Sequence, residues 1–159
     1  MPDKFAVPKQ KTQATAKLAG AGDLPIFLFL AESAANHLGP ERPSDLLATA
    51  RFIPAALDDG AFSFLQVGSI LMLSVPSESE SGESLTDETL SAQGATAISV
   101  EICLDDETCF SGSVVYVLPE GQRRLQDFLN DLPDQFLHLR DGDTTHLINT
   151  DHIVRVSPT

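Results

Sequence analysis

Apolar positions along this chain fall in short runs broken by turn residues, with only brief stretches at helical spacing. Such a pattern predicts strands joined by hairpins, with helices as minor elements. "LPIFLFLAE" (24–32) reads as a strand whose two faces are both covered, because it lacks clean alternation. In "SAANHLGPERPSDLLATA" (33–50), Gly39, Pro40 and Pro43 delay a short helix until about Ser44. "RFIPAALDDGAFSFLQVGSILMLSVP" (51–76) then gives a strand, an Asp-Asp-Gly turn and one or two further strands. After residue 94 the chain resumes with "ATAISVEICL", a turn at "DDE", and the return strand "TCFSGSVVYVLP". In "EGQRRLQDFLND", Leu125, Phe128 and Leu129 sit at helical spacing, and Pro133 ends the segment. "QFLHL", the hairpin "RDGD", "TTHLIN" and "DHIVRV" complete a strand-rich second half.

The two halves align by counting. Arg42, Asp45 and Leu46-Leu47 meet Arg124, Asp127 and Phe128-Leu129, 82 residues further on. With one residue slipped, Ile53 meets Phe136, Phe64-Leu65 meet Leu147-Ile148, and Ile70-Leu71 meet Ile153-Val154. Apolar positions, turn and ending agree, which reads as one unit built twice. The expected fold is α+β and mainly β. It comprises two tandem related modules, each a small antiparallel sheet or partial barrel with one short helix, packed as a pseudo-dimer. The boundaries follow as a flexible basic tail (1–22), a first module (23–76), an acidic Ser-rich linker (77–95) and a second module (96–159). A strand around "QATAKL" is the one element the tail could hold. A module of this size buries too little surface alone, so the copies are expected to close on each other.

Charge sharpens the picture. All four lysines lie in the first 17 residues, and the whole chain carries a net charge of −13. A body this acidic repels phosphate backbones and anionic membranes, so neither nucleic acid nor membrane is expected as a partner. No apolar run approaches the ~20 residues of a membrane helix, and "PIFLFLA" is too short and too interrupted for a signal peptide. The stretch 77–94 has five acids and no basic or aromatic residue. It cannot bury enough apolar surface to offset its ordering entropy, and reads as a mobile spacer.

Candidate chemistry is sparse. His138, His146 and His152 lie on adjacent predicted strands near Asp151. Alternation turns His138 away from Leu137 and Leu139, so these read as surface residues and no metal site is assigned. Asp105, Asp106 and Glu107 share a solvated turn, unsuited to tuned acid–base work. There is no nucleophile paired with a base and no phosphate-cradling glycine loop. Cys103 and Cys109 flank a hairpin turn and could face each other. The simpler reading is two small buried thiols in a reducing cytosol.

From about Cys109 onward the chain resembles a family of small bacterial β-rich domains to which no activity is attached. Its phrase is Arg-Leu-x-Asp-Phe-Leu-Asn, an apolar strand opening on Phe, and Ile-Asn-x-x-x-Ile. The matching residues are Arg124, Leu125, Asp127, Phe128, Leu129 and Asn130, then Phe136, then Ile148, Asn149 and Ile153. In the first half Ala48 replaces Asn130 and Gln66 replaces Asn149. The resemblance implies a β-rich fold and bacterial origin. Arg124, Asp127, Asn130 and Asn149 form its interaction or structural motif. Asp127 is placed to take a backbone N–H or an Arg partner, and Asn130 to close its helix in the left-handed conformation.

The sequence thus predicts a cytoplasmic, non-enzymatic protein with no catalytic residue and no cofactor. It would act as an adaptor or assembly subunit that binds another protein through exposed sheet edges. The alternatives are a small-ligand sensor with a pocket between the modules and, third, an RNA-binding small barrel.

Overall fold

The computed structural model describes residues 9–34, 39–81, 95–116 and 124–159. The first eight residues of the basic tail and positions 82–94 of the acidic linker lie outside them. The fold is mainly antiparallel β. Ten strands form one continuous sheet in the order β10-β6-β7-β8-β9-β5-β1-β2-β3-β4.

The first half contributes β1 (Lys9–Leu18), β2 (Gly22–Ala31), α1 (Pro43–Thr49), β3 (Phe52–Leu57), β4 (Phe62–Gln66) and β5 (Ile70–Pro76). The second contributes β6 (Thr96–Leu104), β7 (Cys109–Tyr116), α3 (Leu125–Asn130), β8 (Phe136–Asp141), β9 (Thr144–Asn149) and β10 (Ile153–Pro158). A 3₁₀ turn precedes the last strand of each half, at Val67–Ser69 and Thr150–His152. Between the halves comes α2 (Ser77–Ser81). Strand, strand, helix, strand, strand, 3₁₀ turn, strand therefore occurs twice. In each half the last strand pairs with the first.

Both predicted Asp-Gly hairpins form, closing β3 onto β4 and β8 onto β9, and Gly60 and Gly142 take the positive φ that such turns need. Two boundaries move. Residues 9–18, assigned by sequence to the flexible tail, form β1, which pairs with β2 along its whole length and with β5 on its other side. The strand expected around residues 13–18 is its second half, where Ala14 and Ala16 alternate inward, and Lys9 and Lys11 disguise the first. The linker's opening residues are also ordered, as α2. The Glu80 carboxylate accepts hydrogen bonds from the Ser44 backbone N–H (2.9 Å) and hydroxyl (2.6 Å), tying α2 to the start of α1.

Two apolar clusters lie along the sheet, and each takes residues from both halves. The first gathers Ile26, Leu28, Ile53 and Leu73 with Leu47 of α1, and receives Phe136 and Leu147 from β8 and β9. The second gathers Val100, Ile102, Val114 and Leu139 under Leu125, Phe128 and Leu129 of α3, and receives Leu71 and Met72 from β5. Tyr116 stacks on Phe128 with ring centroids 4.7 Å apart. The exchange happens where β5 pairs with β9, Met72 opposite Ile148 and Leu73 opposite Leu147.

Close approach matters at Gly112 on β7, where an added Cβ would run into the Arg140 carbonyl and the Leu139 side chain of β8. The single registered β7–β8 pair, Ser113 with Arg140, lies alongside. Gly112→Ala is expected to lower stability by about 1–3 kcal/mol through overpacking. A urea melt unchanged within error would show that β8 can back away.

Candidate interaction surface

The sheet has two open ends. Among the described residues no strand pairs with the outer edge of β4 or of β10. The register of β3 and β4 sets Phe52 opposite Gln66, Pro54 opposite Phe64 and Ala56 opposite Phe62. Directly opposed residues point to the same face. Ile53 and Leu65 point into the first cluster, and Phe52, Phe62 and Phe64 point away from it. Phe62 stacks on Phe29 of β2 (5.5 Å) and meets Phe64 edge-on (5.7 Å). Among the described residues, the large apolar side chains left exposed are Phe52 (54%), Phe62 (56%), Phe64 (69%) and, on β10, Val154 (69%). All four lie at the sheet's two ends. Apolar area gathered beside an unpaired strand is the usual make-up of a docking edge.

The residues singled out in sequence scatter instead. Arg124 Nε lies 3.3 Å from Asp127 Oδ2 at the start of α3, an exposed pair on its arginine side. Asn130 does not adopt the left-handed conformation expected of it, since Glu107 is the one non-glycine with positive φ among the described residues. Its amide instead donates to the Gln126 carbonyl (3.0 Å), a bond one helical turn long that makes the left-handed closure unnecessary. Asn149 stands apart from these, 1% exposed where the two halves meet. Its Oδ1 accepts from Gln135 Nε2 (2.7 Å) and from the Asp151 N–H (3.1 Å). Its Nδ2 donates to the Ile70 carbonyl (3.1 Å) at the head of β5.

The histidines do not converge. His138 lies 3.8 Å from buried Glu80. His146 Nδ1 bonds the Ser74 hydroxyl (2.7 Å), and burial pushes its pKa down. His152 sits between two acceptors, with Nδ1 2.7 Å from Asp105 and Nε2 3.2 Å from the Gly68 carbonyl in the other 3₁₀ turn. Satisfying both needs an N–H on each nitrogen, hence the imidazolium. The hydrogen bond to Asp105 outweighs partial burial and raises the His152 pKa above 6.5. A raised folded-state pKa gives stabilisation that is complete below the unfolded value and lost as pH rises through the folded one. The melting temperature of the wild type should therefore exceed that of His152→Gln most at mildly acid pH, and the gap should close above neutrality. A gap that widens with pH would contradict the assignment.

Cys103 and Cys109 face each other across the β6–β7 hairpin and are joined as a disulfide, where sequence reading favoured two buried thiols. Direct opposition on paired strands is what brings the sulfurs together. With Glu101 they make the one cluster of metal-binding types among the described residues, and the disulfide leaves it no thiolate.

A cleft of about 340 Å³ opens between the halves, lined by Arg42, Ser77, Glu80, Val115, His138, Arg140 and Thr145. No helix among the described residues is long and apolar enough to cross a membrane. No family model, curated protein or solved structure matches the chain.

What sequence reading missed is the Phe-x-Phe of β4 together with Phe52. The signal was present as alternation in "AFSFLQ", with phenylalanine on the face opposite core Leu65.

Proposed function

We propose that this chain is a non-enzymatic assembly subunit of two related modules closed on each other, and that it binds a protein chain through the open ends of its sheet. The recurring element order and the shared strand order support the module reading. Docking rests on one observation, three phenylalanines more than half exposed beside the unpaired edge of β4. Left in water, that area is a liability; a strand laid against β4 would take up its free backbone groups while side chains covered the rings.

A photoactivatable phenylalanine analogue in place of Phe64 tests this in the cells that make the protein. Irradiation should yield a covalent adduct with a protein chain, this one or another, while the same analogue at exposed Gln126 on α3 should not. An adduct-free result at position 64 removes the proposal.

The second reading, a sensor for a small ligand, is favoured by the cleft. Arg42 and Arg140 line it with a single carboxylate, Glu80, so its fixed positive charges outnumber the negative one and a small anion is the ligand class to test. Anionic metabolites should then raise the melting temperature, and Arg42→Ala should abolish the shift. No shift across such a panel leaves docking alone.

A further inference from the structure

The internal contact between the halves states what the open ends would accept. Strand pairing fixes which positions correspond. Ile53 pairs with Leu65 in the first half and Leu137 with Ile148 in the second, each pair facing its own cluster. Ile53 therefore corresponds to Leu137, where the residue count had matched it with Phe136. The hairpin after β3 is one residue longer than its counterpart, which restores the original spacing from β4 onward. Phe52 then corresponds to Phe136, Phe62 to Thr145, Phe64 to Leu147 and Leu71 to Val154.

Thr145, Leu147, Phe136 and Leu71 are all buried, and the last three insert into the other half's cluster. Their counterparts, Phe62, Phe64, Phe52 and Val154, are the large apolar residues left exposed among the described ones. The chain thus covers this set once, inside itself, and leaves the same set bare once, split between opposite ends. Polar positions follow the same rule. Asn149 reaches the Ile70 carbonyl across the junction, whereas its counterpart Gln66 is exposed on open β4.

Resting on the reading that the open ends dock a protein chain, we infer that the chain they accept is a second copy of this one. The β10 of each copy lies antiparallel along β4 of the next, repeating the β5–β9 junction. Transferring that register sets Arg155 opposite the next copy's Leu65, Val156 opposite its Phe64, and Ser157 opposite its Ser63. Phe52 and Phe64 enter the cluster beneath β10, as Phe136 and Leu147 enter the one beneath β5. The contact is head-to-tail, so each copy uses one end as donor and the other as acceptor, and assemblies grow until they close into a ring or run on as a filament.

The test uses the full chain and two variants, each altered at an exposed residue. Phe64→Lys spoils the β4 end, and Val154→Asp spoils the β10 end. Light scattering and native mass spectrometry should find the wild type as a multi-copy assembly. Each variant alone should be a monomer, with association weakened by at least about tenfold. Mixed, they should form a one-to-one dimer and nothing larger, since one sound β4 meets one sound β10. In the wild-type background, Ser63→Cys with Ser157→Cys should cross-link neighbouring copies on oxidation. A monomeric wild type at high concentration overturns the inference, and a foreign chain in the position 64 adduct would then leave the docking proposal standing. A Val154→Asp variant that still dimerises alone overturns it too, because that result means β4 pairs with β4.

Discussion

Phe136→Ala should destabilise the protein by about 3–5 kcal/mol, while the same replacement at the corresponding Phe52 should change monomer stability by no more than about 0.5 kcal/mol. The two side chains are chemically identical and stand at matching points of matching strands. Phe136 is 4% exposed and embedded in the first cluster beside Leu147, so truncation opens a cavity between the halves that packed neighbours can only partly fill. Phe52 is 54% exposed and loses little that water does not replace. Urea unfolding of both variants at low protein concentration gives the comparison. Comparable losses at the two sites would mean that the clusters do not trade residues as described.

The second large effect is expected at Asn149. Asn149→Ala removes a buried amide that makes three hydrogen bonds, and strands the buried Ile70 carbonyl. Leaving buried polar groups unpaired costs about 1–3 kcal/mol, and the loss should lie toward the upper end because three bonds go at once and one of them, to Ile70, ties the two halves together. Asn149→Asp separates shape from chemistry. It keeps the volume but turns a donor into an acceptor facing the Ile70 carbonyl, so it should be at least as harmful at neutral pH and partly relieved in acid, when the carboxyl protonates. At Gln66, solvent-exposed with its amide oxygen accepting from Ser69, alanine should be nearly silent. If Asn149→Ala melts with the wild type, the bond across the junction contributes nothing to holding the halves together.

Much of the element order was legible from local chemistry. The two Asp-Gly turns, the facing cysteines and the proline-delayed helix before β3 are each set by residues within a few positions of one another. β1 was legible in part: a strand around residues 13–18 is expected within the tail, and Lys9 and Lys11 hide its first half and its place inside the sheet. α2 was read as linker because five residues rich in Ser and Glu carry no helical signal. What orders it is a distant contact, Glu80 on Ser44, beyond the reach of a local pattern.

The candidate surface was hidden for a different reason. Alternation shows that Phe64 and Leu147 both face away from Leu65 and Ile148, their inward-pointing neighbours, but not that another strand covers one of them and leaves the other bare. That depends on β5 lying against β9, a pairing between residues 68 to 76 positions apart. Of the motif residues, Arg124 and Asp127 have counterparts in Arg42 and Asp45 and pair at a helix start, Asn130 has Ala48 as its counterpart and bonds within its own helix, and of the four only Asn149 reaches across the junction.

One consequence of the swapped side chains concerns how the molecule comes apart. β5 supplies Ile70, Leu73 and Val75 to one cluster and Leu71 and Met72 to the other, so pulling this strand away opens both interiors at once. Neither half has a private interior to retreat into. Heat or denaturant should melt them together in a single cooperative step, and a chain severed between residues 82 and 94 should hold together as a two-piece complex instead of releasing two folded fragments.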